Sequence, residues 1–517
     1  MRKWLAAIAL FALVGFGFSA FAQGEPTDIG QNRVFYEIFV PSFSDSNGDG
    51  IGDLQGIINR LDYLNGTEDS LGIGGIWLTP IYQSPSYHKY DVADYYTIDP
   101  SFGDLDTLKE LIAQCHARDI WVILDLPINH TSTDNRWFVN FKNAHIVNNP
   151  SNIHYDFYTW QSANESLPAG RHFIRVDGTQ IMVEANFSDD MPELNFDCPA
   201  VRQAVVDVAR YYLELGVDGF RFDAAKYVYY GDHDQCVDFW DWYVAELKKI
   251  KPDVYCVAEV WDSDSVTDRY GGVLNCFDFT TSQSSGLIAQ TAAGGNVNKL
   301  TAYMENRIDT LHGMRPDAMP IYFIANHDTD RAAGFLTVAS GRMQMAANLY
   351  LLCPGSPFIY YGEEIGMRGS RGGANTDANR RLAMLWGDGD TVSDPIGTTY
   401  DAKKQSPYTV AELLEDEGGL LQYYRRLLTI RRENPEIAAG EYTALSFADT
   451  KAGGFVCTLN ESMVCVLHNT TTKAVCFDLT QICEGRFDSI CAVIGLGGAT
   501  LENGILTLDG QTSVVLR

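Results

Sequence analysis

Eight short apolar runs, separated by polar or amphipathic stretches, recur along most of this chain and constrain its fold more than any other feature. They occupy residues 33–40, 73–78, 120–126, 219–223, 254–260, 275–279, 321–326 and 357–361. Runs this short, rich in Val, Ile, Phe and Tyr, read as buried strands. Segments 105–118, 201–215 and 239–250 between them carry apolar residues at helical spacing. Strands that alternate with helices predict an α/β chain with a parallel sheet, and eight of them predict a (β/α)8 TIM barrel.

The first three runs start 40 and 47 residues apart, one βα unit each, whereas the third and fourth are nearly 100 apart. That gap predicts a small inserted domain after strand three, residues 130–192, rich in Asn, Ser and Tyr. The barrel pattern, 23–432, gives way to short alternating segments such as 454–459, 463–468 and 475–479. They predict a C-terminal all-β sandwich over 433–517.

Residues 1–22 have the pattern of a cleaved signal peptide: Arg2 and Lys3, an apolar run, then Ala20-Phe21-Ala22. A secreted or periplasmic protein is expected, with no membrane span in the mature chain. The net charge of −29 argues against nucleic acid and anionic membranes as partners, since both bind Lys and Arg. A neutral ligand such as a sugar is compatible with it, as is ordinary solubility. Eleven cysteines are an odd number, so at least one has no partner within the chain. Cys256 and Cys353 lie in apolar runs and are expected to pack as small hydrophobes. No disulfide pairing and no oligomeric state follow from the sequence.

A TIM barrel carries its catalytic groups at the C-terminal ends of its strands. Strand three ends in Asp125-Leu-Pro-Ile-Asn129-His130 and strand four in Arg221-Phe-Asp223-Ala224-Ala225-Lys226. Strand five ends in Glu259-Val-Trp261 and strand seven in Asn326-His327-Asp328. One acid at a strand end is commonly a helix cap; four strand ends that gather acids, His and Arg form a site. Two carboxylates flanking one bond are what glycoside hydrolysis requires. Arg221, two residues before Asp223, points the same way and keeps that carboxylate ionised, as a nucleophile must be. Glu259 follows an apolar strand and precedes Trp261, surroundings that raise a carboxyl pKa and suit a general acid.

These four segments resemble the four signature regions of the α-amylase family, glycoside hydrolase family 13. The barrel, its insertion and the β domain resemble that family's architecture. Met191-Pro-Glu193-Leu-Asn195 resembles a fifth region, in a form intermediate between oligo-1,6-glucosidases and neopullulanases. Arg381-Leu-Ala-Met384-Leu-Trp386 resembles an Arg-x-Pro-Met-x-Trp run of the glucosidases, with Ala383 in place of Pro. The resemblance implies a retaining hydrolase acting on α-glucans such as starch or maltodextrin. Asp223 would be the nucleophile, Glu259 the acid/base and Asp328 the third carboxylate. Asp91, His130, Arg221 and His327 would bind the sugar at the cleaved bond, Tyr90 would stack on it, and Lys226 would lie on the leaving-group side. Tyr227 stands where amylases commonly have His, which leaves open a calcium site between barrel and insertion.

Asp45, Asn47, Asp49 and Asp53 offer side-chain oxygens at positions 1, 3, 5 and 9 of a loop, with the Ile51 carbonyl at 7 and Gly50 at 6. That is the logic of a calcium loop, although Gly56 at position 12 rules out an EF-hand. Structural calcium or magnesium is expected; an acidic turn without metal is the alternative. Within the same fold, an exo-acting α-glucosidase or a transglycosylase competes with an amylase. A catalytically inactive carbohydrate-binding or transporter-associated relative is the remote rival, and it would lack one of the three carboxylates.

Overall fold

The computed structural model describes residues 31–482 and 486–517; the expected signal peptide lies outside them. Strands Phe35–Ile38, Gly75–Leu78, Trp121–Leu126, Gly219–Phe222, Tyr255–Ala258, Asn275–Cys276 and Phe358–Tyr360 form one sheet. Every neighbouring pair in it is parallel. The seventh run, expected over 321–326, makes only two parallel bridges, Ile321 to Phe277 and Phe323 to Phe358. They close the ring: the Asp278 amide donates to the Ile321 carbonyl at 3.0 Å and the Phe358 amide to the Tyr322 carbonyl at 2.9 Å. Pairing stops there because the Asn326 amide donates to Thr329 Oγ1 and the Asn326 side chain takes the Asp328 amide, a local turn that competes with the ladder.

The period of two along each strand explains what fills the barrel. Phe35, Trp77, Ile123, Tyr255, Val257, Phe277, Ile321, Phe323 and Phe358 form an apolar plug inside. The alternate residues, among them Tyr36, Ile76, Leu124, Phe220 and Cys256, belong to the outer core against the helices. The plug tolerates nothing larger than Gly219, whose added Cβ would lie 1.9 Å from the Tyr255 carbonyl oxygen. Two residues further along the same inward register stand Glu37, Asp125, Arg221 and Glu259, with Asp223 one step beyond Arg221. Alternation alone therefore lifts a charged layer onto the apolar one, at the C-terminal face.

The segment between the third and fourth strands holds helix Arg136–Ile146 and an antiparallel sheet of Trp160–Ser162, Ile181–Glu184 and Phe173–Arg175. Bridges from His130 to Glu193 and from Tyr158 to Leu194 tie its two ends together. After helix Leu420–Glu433 the chain forms an antiparallel five-stranded sheet ordered Glu441–Leu445, Ala452–Leu459, Ser462–Asn469, Thr512–Leu516, Ile490–Gly495. It packs on a three-stranded sheet of Val475–Asp478, Ile505–Leu508 and Ala499–Glu502 through Val456, Leu467, Phe477, Leu506, Leu508 and Val514, the arrangement of a β-sandwich. Cys256 and Cys353 are buried free thiols. No helix among the described residues is long and apolar enough to cross a membrane.

Candidate active site

Arg221 is the hub of the charged layer. It is fully buried, and its Nη1 donates to both oxygens of Asp125, at 3.0 and 3.1 Å, and to Asp223 Oδ1 at 2.6 Å. Its Nη2 donates to Glu259 Oε2 at 2.6 Å. One planar fork thus holds Asp223 and Glu259 side by side, a geometry that Arg offers and Lys does not. Immediately after Asp223, Ala224 adopts φ +49°, ψ +36°. A left-handed alanine is strained, and such strain persists where surrounding structure over-determines it, commonly at active sites. Here it swings the chain into the short helix that carries Lys226.

Burial drives the Glu259 carboxyl up to about 7, with Asp223 and Asp328 adding to the rise and Arg221 opposing it. A carboxyl poised there can hold a proton near neutrality and give it up. Burial likewise raises Asp125 to about 7 against the pull of Arg221. Asp328 goes the other way: burial would raise it, but His327, Arg381 and Arg221 hold it far below the usual carboxylate range. His327 Nε2 lies 3.0 Å from Asp328 Oδ2, and Arg381 Nη2 donates to Asp328 Oδ1 at 2.7 Å. Environment therefore separates the acids that flank the cavity, one kept protonatable and one kept ionised.

These groups border a cavity of about 850 Å³, within the range that small-molecule sites occupy. Asp223, Glu259, Asp328, Tyr90, His130 and Lys226 line it, with Tyr87, His88, Phe187, Met191, Tyr227, Trp261 and the 375–377 loop as walls. Phe187, Met191 and His130 come from the expected insertion or its border, so that segment forms one side of the cleft. Trp261 stacks on Phe279 at 4.7 Å at the rim, and Lys226 Nζ donates to the Trp261 carbonyl at 2.6 Å and to Asp262 at 2.8 Å. His130 is buried, its Nε2 has no partner, and burial lowers its pKa, so a neutral ring is available to a ligand hydroxyl.

Three residues expected to contact the sugar do not line the cavity. Arg221 and His327 are completely buried beneath the cavity lining; they act on the carboxylates rather than forming the wall. Asp91 accepts from Ser84 Oγ at 2.7 Å and from Ser86 Oγ. It faces the 84–91 loop, where it fixes the turn that presents Tyr90, because a short buried carboxylate takes the nearest hydroxyls. Other residues at the site take roles that the sequence did not assign. Asp125 joins Arg221 to the Tyr90 hydroxyl, at 2.8 Å. Glu37 accepts from His327 Nδ1 at 2.5 Å. Arg381 clamps Asp328 and also reaches Tyr87. A sequence signal existed for two of them: Glu37 and Asp125 are acids at inward positions of otherwise apolar strands.

At the 45–53 loop, Asp45 accepts from the amides of Asn47, Gly48 and Gly50 and from Thr391 Oγ1. Asn47 and Asp49 each accept an amide two residues on, while Asp53 caps helix Leu54–Asn59 and holds Ser46. Burial would raise the Asp45 pKa, but those hydrogen bonds more than offset it. Among the described residues no three His, Cys, Asp or Glu side chains converge as a metal-binding group. The side-chain donors are all oxygen, the ligand type that a hard cation takes, and in this structure each is engaged by backbone amides or hydroxyls.

Residues 37–440 match the family model described as the α-amylase catalytic domain. The chain is 34% identical over 467 residues to α-amylase 3 of Dictyoglomus thermophilum, covering 89% of each. It is 32% identical over 352 residues to a 4-α-glucanotransferase of Thermotoga neapolitana, covering 66% of this chain and 74% of that protein. The solved structure of Eubacterium rectale Amy13B superposes with a TM-score of 0.86 at 31% identity, over 94% of this chain and 96% of that one. A parallel barrel with paired carboxylates at its C-terminal face, an antiparallel β domain behind it and these similarities together lead to one conclusion: the chain belongs to the α-amylase family, glycoside hydrolase family 13, and is a glycoside hydrolase acting on α-glucans.

Proposed function

We propose that the protein is an exported α-amylase that cleaves mainly α-1,4 bonds in starch or maltodextrins with retention of configuration. The observation that carries this reading is the Arg221 fork, which pairs Asp223 and Glu259 at the cavity floor. Asp223 attacks the anomeric carbon while the Glu259 proton passes to the departing glycosidic oxygen. Glu259, now a carboxylate, takes a proton from water; that water attacks the anomeric carbon and releases Asp223. Asp328, held ionised, faces the positive charge that develops on the ring.

Three residues support the α-1,4 preference for long chains. Ala224 follows the nucleophile, where family members that cut α-1,6 bonds tend to have Val. Lys226 lines the leaving-group side. His88 stands in the 86–89 stretch, where exo-acting glucosidases hold the chain end with an acid, and Lys89 is engaged elsewhere with Asp99 at 2.7 Å. The test compares initial rates on soluble starch, maltoheptaose, maltose and isomaltose, with proton NMR of the first product. Starch or maltoheptaose should be fastest, and the α-anomer should form first. Maltose or isomaltose as best substrate, with glucose the only early product from maltoheptaose, makes the protein an exo-glucosidase. An early β-anomer removes Asp223 as nucleophile. Transfer to a sugar acceptor is the second reading, favoured by the similarity to a 4-α-glucanotransferase. It shares the glycosyl-enzyme intermediate and differs only in what attacks it.

The loop of Asp45, Asn47, Asp49, the Ile51 carbonyl and Asp53 is proposed to hold one calcium or magnesium ion that supports stability, since it shares no residue with the catalytic cavity. Chelation is expected to lower the melting temperature, and calcium to restore it by mass action. An unchanged melting curve together with a metal-free elemental analysis refutes the site. Export is supported by the 1–22 leader, and N-terminal sequencing of the mature protein checks it.

A further inference from the structure

We propose that Glu37, buried in the first barrel strand, is a positioning residue that keeps His327 as an imidazolium and thereby keeps Asp328 ionised and aimed at the substrate. Glu37 and His327 are 1% and 0% exposed. Glu37 Oε1 lies 2.5 Å from His327 Nδ1, and Asp328 Oδ2 lies 3.0 Å from Nε2. An imidazole with a carboxylate at each nitrogen satisfies both only when both nitrogens carry protons. The neutral ring would leave one lone pair facing an anion in a buried site, where an unpaired charge is most costly.

The rest of the surroundings agree with a doubly protonated ring. The Tyr90 hydroxyl is 2.7 Å from Nε2 and 2.8 Å from Asp125 Oδ2. Giving its proton to Asp125 leaves its oxygen free to share the Nε2 proton. The Tyr90 ring stacks on His327 at 5.5 Å and 9°, and Trp77 meets it edge-on at 5.5 Å. Arg381 Nε donates to the His327 carbonyl at 3.0 Å, which fixes the backbone without competing for the ring. The Glu37 backbone is anchored too, since its carbonyl accepts from the Tyr361 amide at 3.0 Å. Burial would lower the pKa of His327, but Asp328 and Glu37 push it up to about 10.

The consequence is a relay of charge without proton transfer. Glu37 supplies the countercharge on the Nδ1 side of the imidazolium, opposite Asp328 at Nε2. The imidazolium in turn neutralises Asp328, the carboxylate that opposes developing positive charge on the sugar. Glu37 touches no substrate; it acts through His327. This role rests on the proposed part of Asp328 in catalysis, although the state of the His327 ring is measurable without any substrate.

The test titrates the enzyme labelled with ¹⁵N-histidine by NMR, with the His327 resonances assigned by their absence in His327→Asn. In the wild type both ring nitrogens should remain protonated at pH 8. In Glu37→Gln the His327 titration should move down by about one unit or more, since a neutral amide replaces the carboxylate, and Glu37→Asp should restore part of the shift. The ratio of wild-type to Glu37→Gln kcat/KM should also grow between pH 6 and pH 9, by about twofold if the His327 titration falls one unit from about 10 and by about tenfold if it falls two. A neutral His327 in the wild type at pH 8 overturns the inference, and that measurement stands even if Glu37→Gln does not fold. A Glu37→Gln variant with an unchanged His327 titration and a pH-independent rate ratio also overturns it, leaving Glu37 a structural role alone. Full activity in Asp328→Asn would instead refute the catalytic reading of Asp328, while the wild-type and Glu37→Gln titrations still decide the state of the ring.

Discussion

Asp223→Asn and Glu259→Gln are each expected to lower turnover of malto-oligosaccharides by about 10³-fold or more while leaving the fold intact. Each change keeps side-chain volume and removes one thing the chemistry uses. In Asp223→Asn the side-chain carbonyl can still accept from Arg221 Nη1, but no anionic oxygen is left to bond the anomeric carbon. In Glu259→Gln the side-chain carbonyl can still accept from Arg221 Nη2, but no acidic proton is left for the leaving oxygen. The wild-type kcat/KM should also fall as pH rises through about 7, where Glu259 loses its proton, and Glu259→Gln should show no such limb. Steady-state rates from pH 5 to pH 9 with a circular-dichroism check of folding decide the matter. Near wild-type activity in either folded variant eliminates that residue from the mechanism.

The barrel and the carboxylates at its C-terminal face were legible in the sequence because both depend on local periodicity. Alternation along 219–223 puts Gly219, Arg221 and Asp223 on one face, and the apolar run 254–258 delivers Glu259 to a strand end, whatever the rest of the chain does. The seventh run, 321–326, takes its place between the sixth and eighth strands as expected, through single bridges at Ile321 and Phe323, and beyond it the Asn326 and Thr329 side chains take over the backbone. What stayed hidden was pairing across the ring. Glu37 and His327 are 290 residues apart and Arg381 and Asp328 53 apart. Their meeting depends on how the sheet closes, which no local pattern states. Asp91 shows the limit in the other direction. It adjoins Tyr90 in sequence, yet one of its carboxylate oxygens accepts from Ser84 and Ser86 within the 84–91 loop, a contact set by the turn and not by any periodic pattern.

Arg221→Met is expected to destabilise the barrel by about 3–5 kcal/mol, the usual effect of removing one partner from a buried ionic group, and to abolish activity. Arg221 is the shared cation of Asp125, Asp223 and Glu259. Without it, all three carboxylates remain buried or half-buried with no countercharge from that side. The pH dependence gives the loss a signature. Asp125 and Glu259 are already raised from their ordinary 3.8 and 4.5 to about 7 in the presence of Arg221. Carboxyls raised in the folded state favour folding when protonated, so their contribution is fully present below the unfolded pKa and is lost as pH rises through the folded one. Removing the guanidinium raises them further and widens that window upward. The Met variant should therefore lie closest to the wild type near pH 4 and furthest from it above pH 7. Urea midpoints at pH 4.5 and pH 8 measure this directly. Arg221→Lys is the informative control: it returns a positive charge and should regain part of the stability at pH 8. A single ammonium cannot hold Asp223 and Glu259 in the fixed spacing of two guanidinium nitrogens, so its activity should stay low. Equal midpoint losses at both pH values would mean that Arg221 contributes packing rather than charge, and full activity in the Lys variant would mean that the fork does not set the spacing of the two carboxylates.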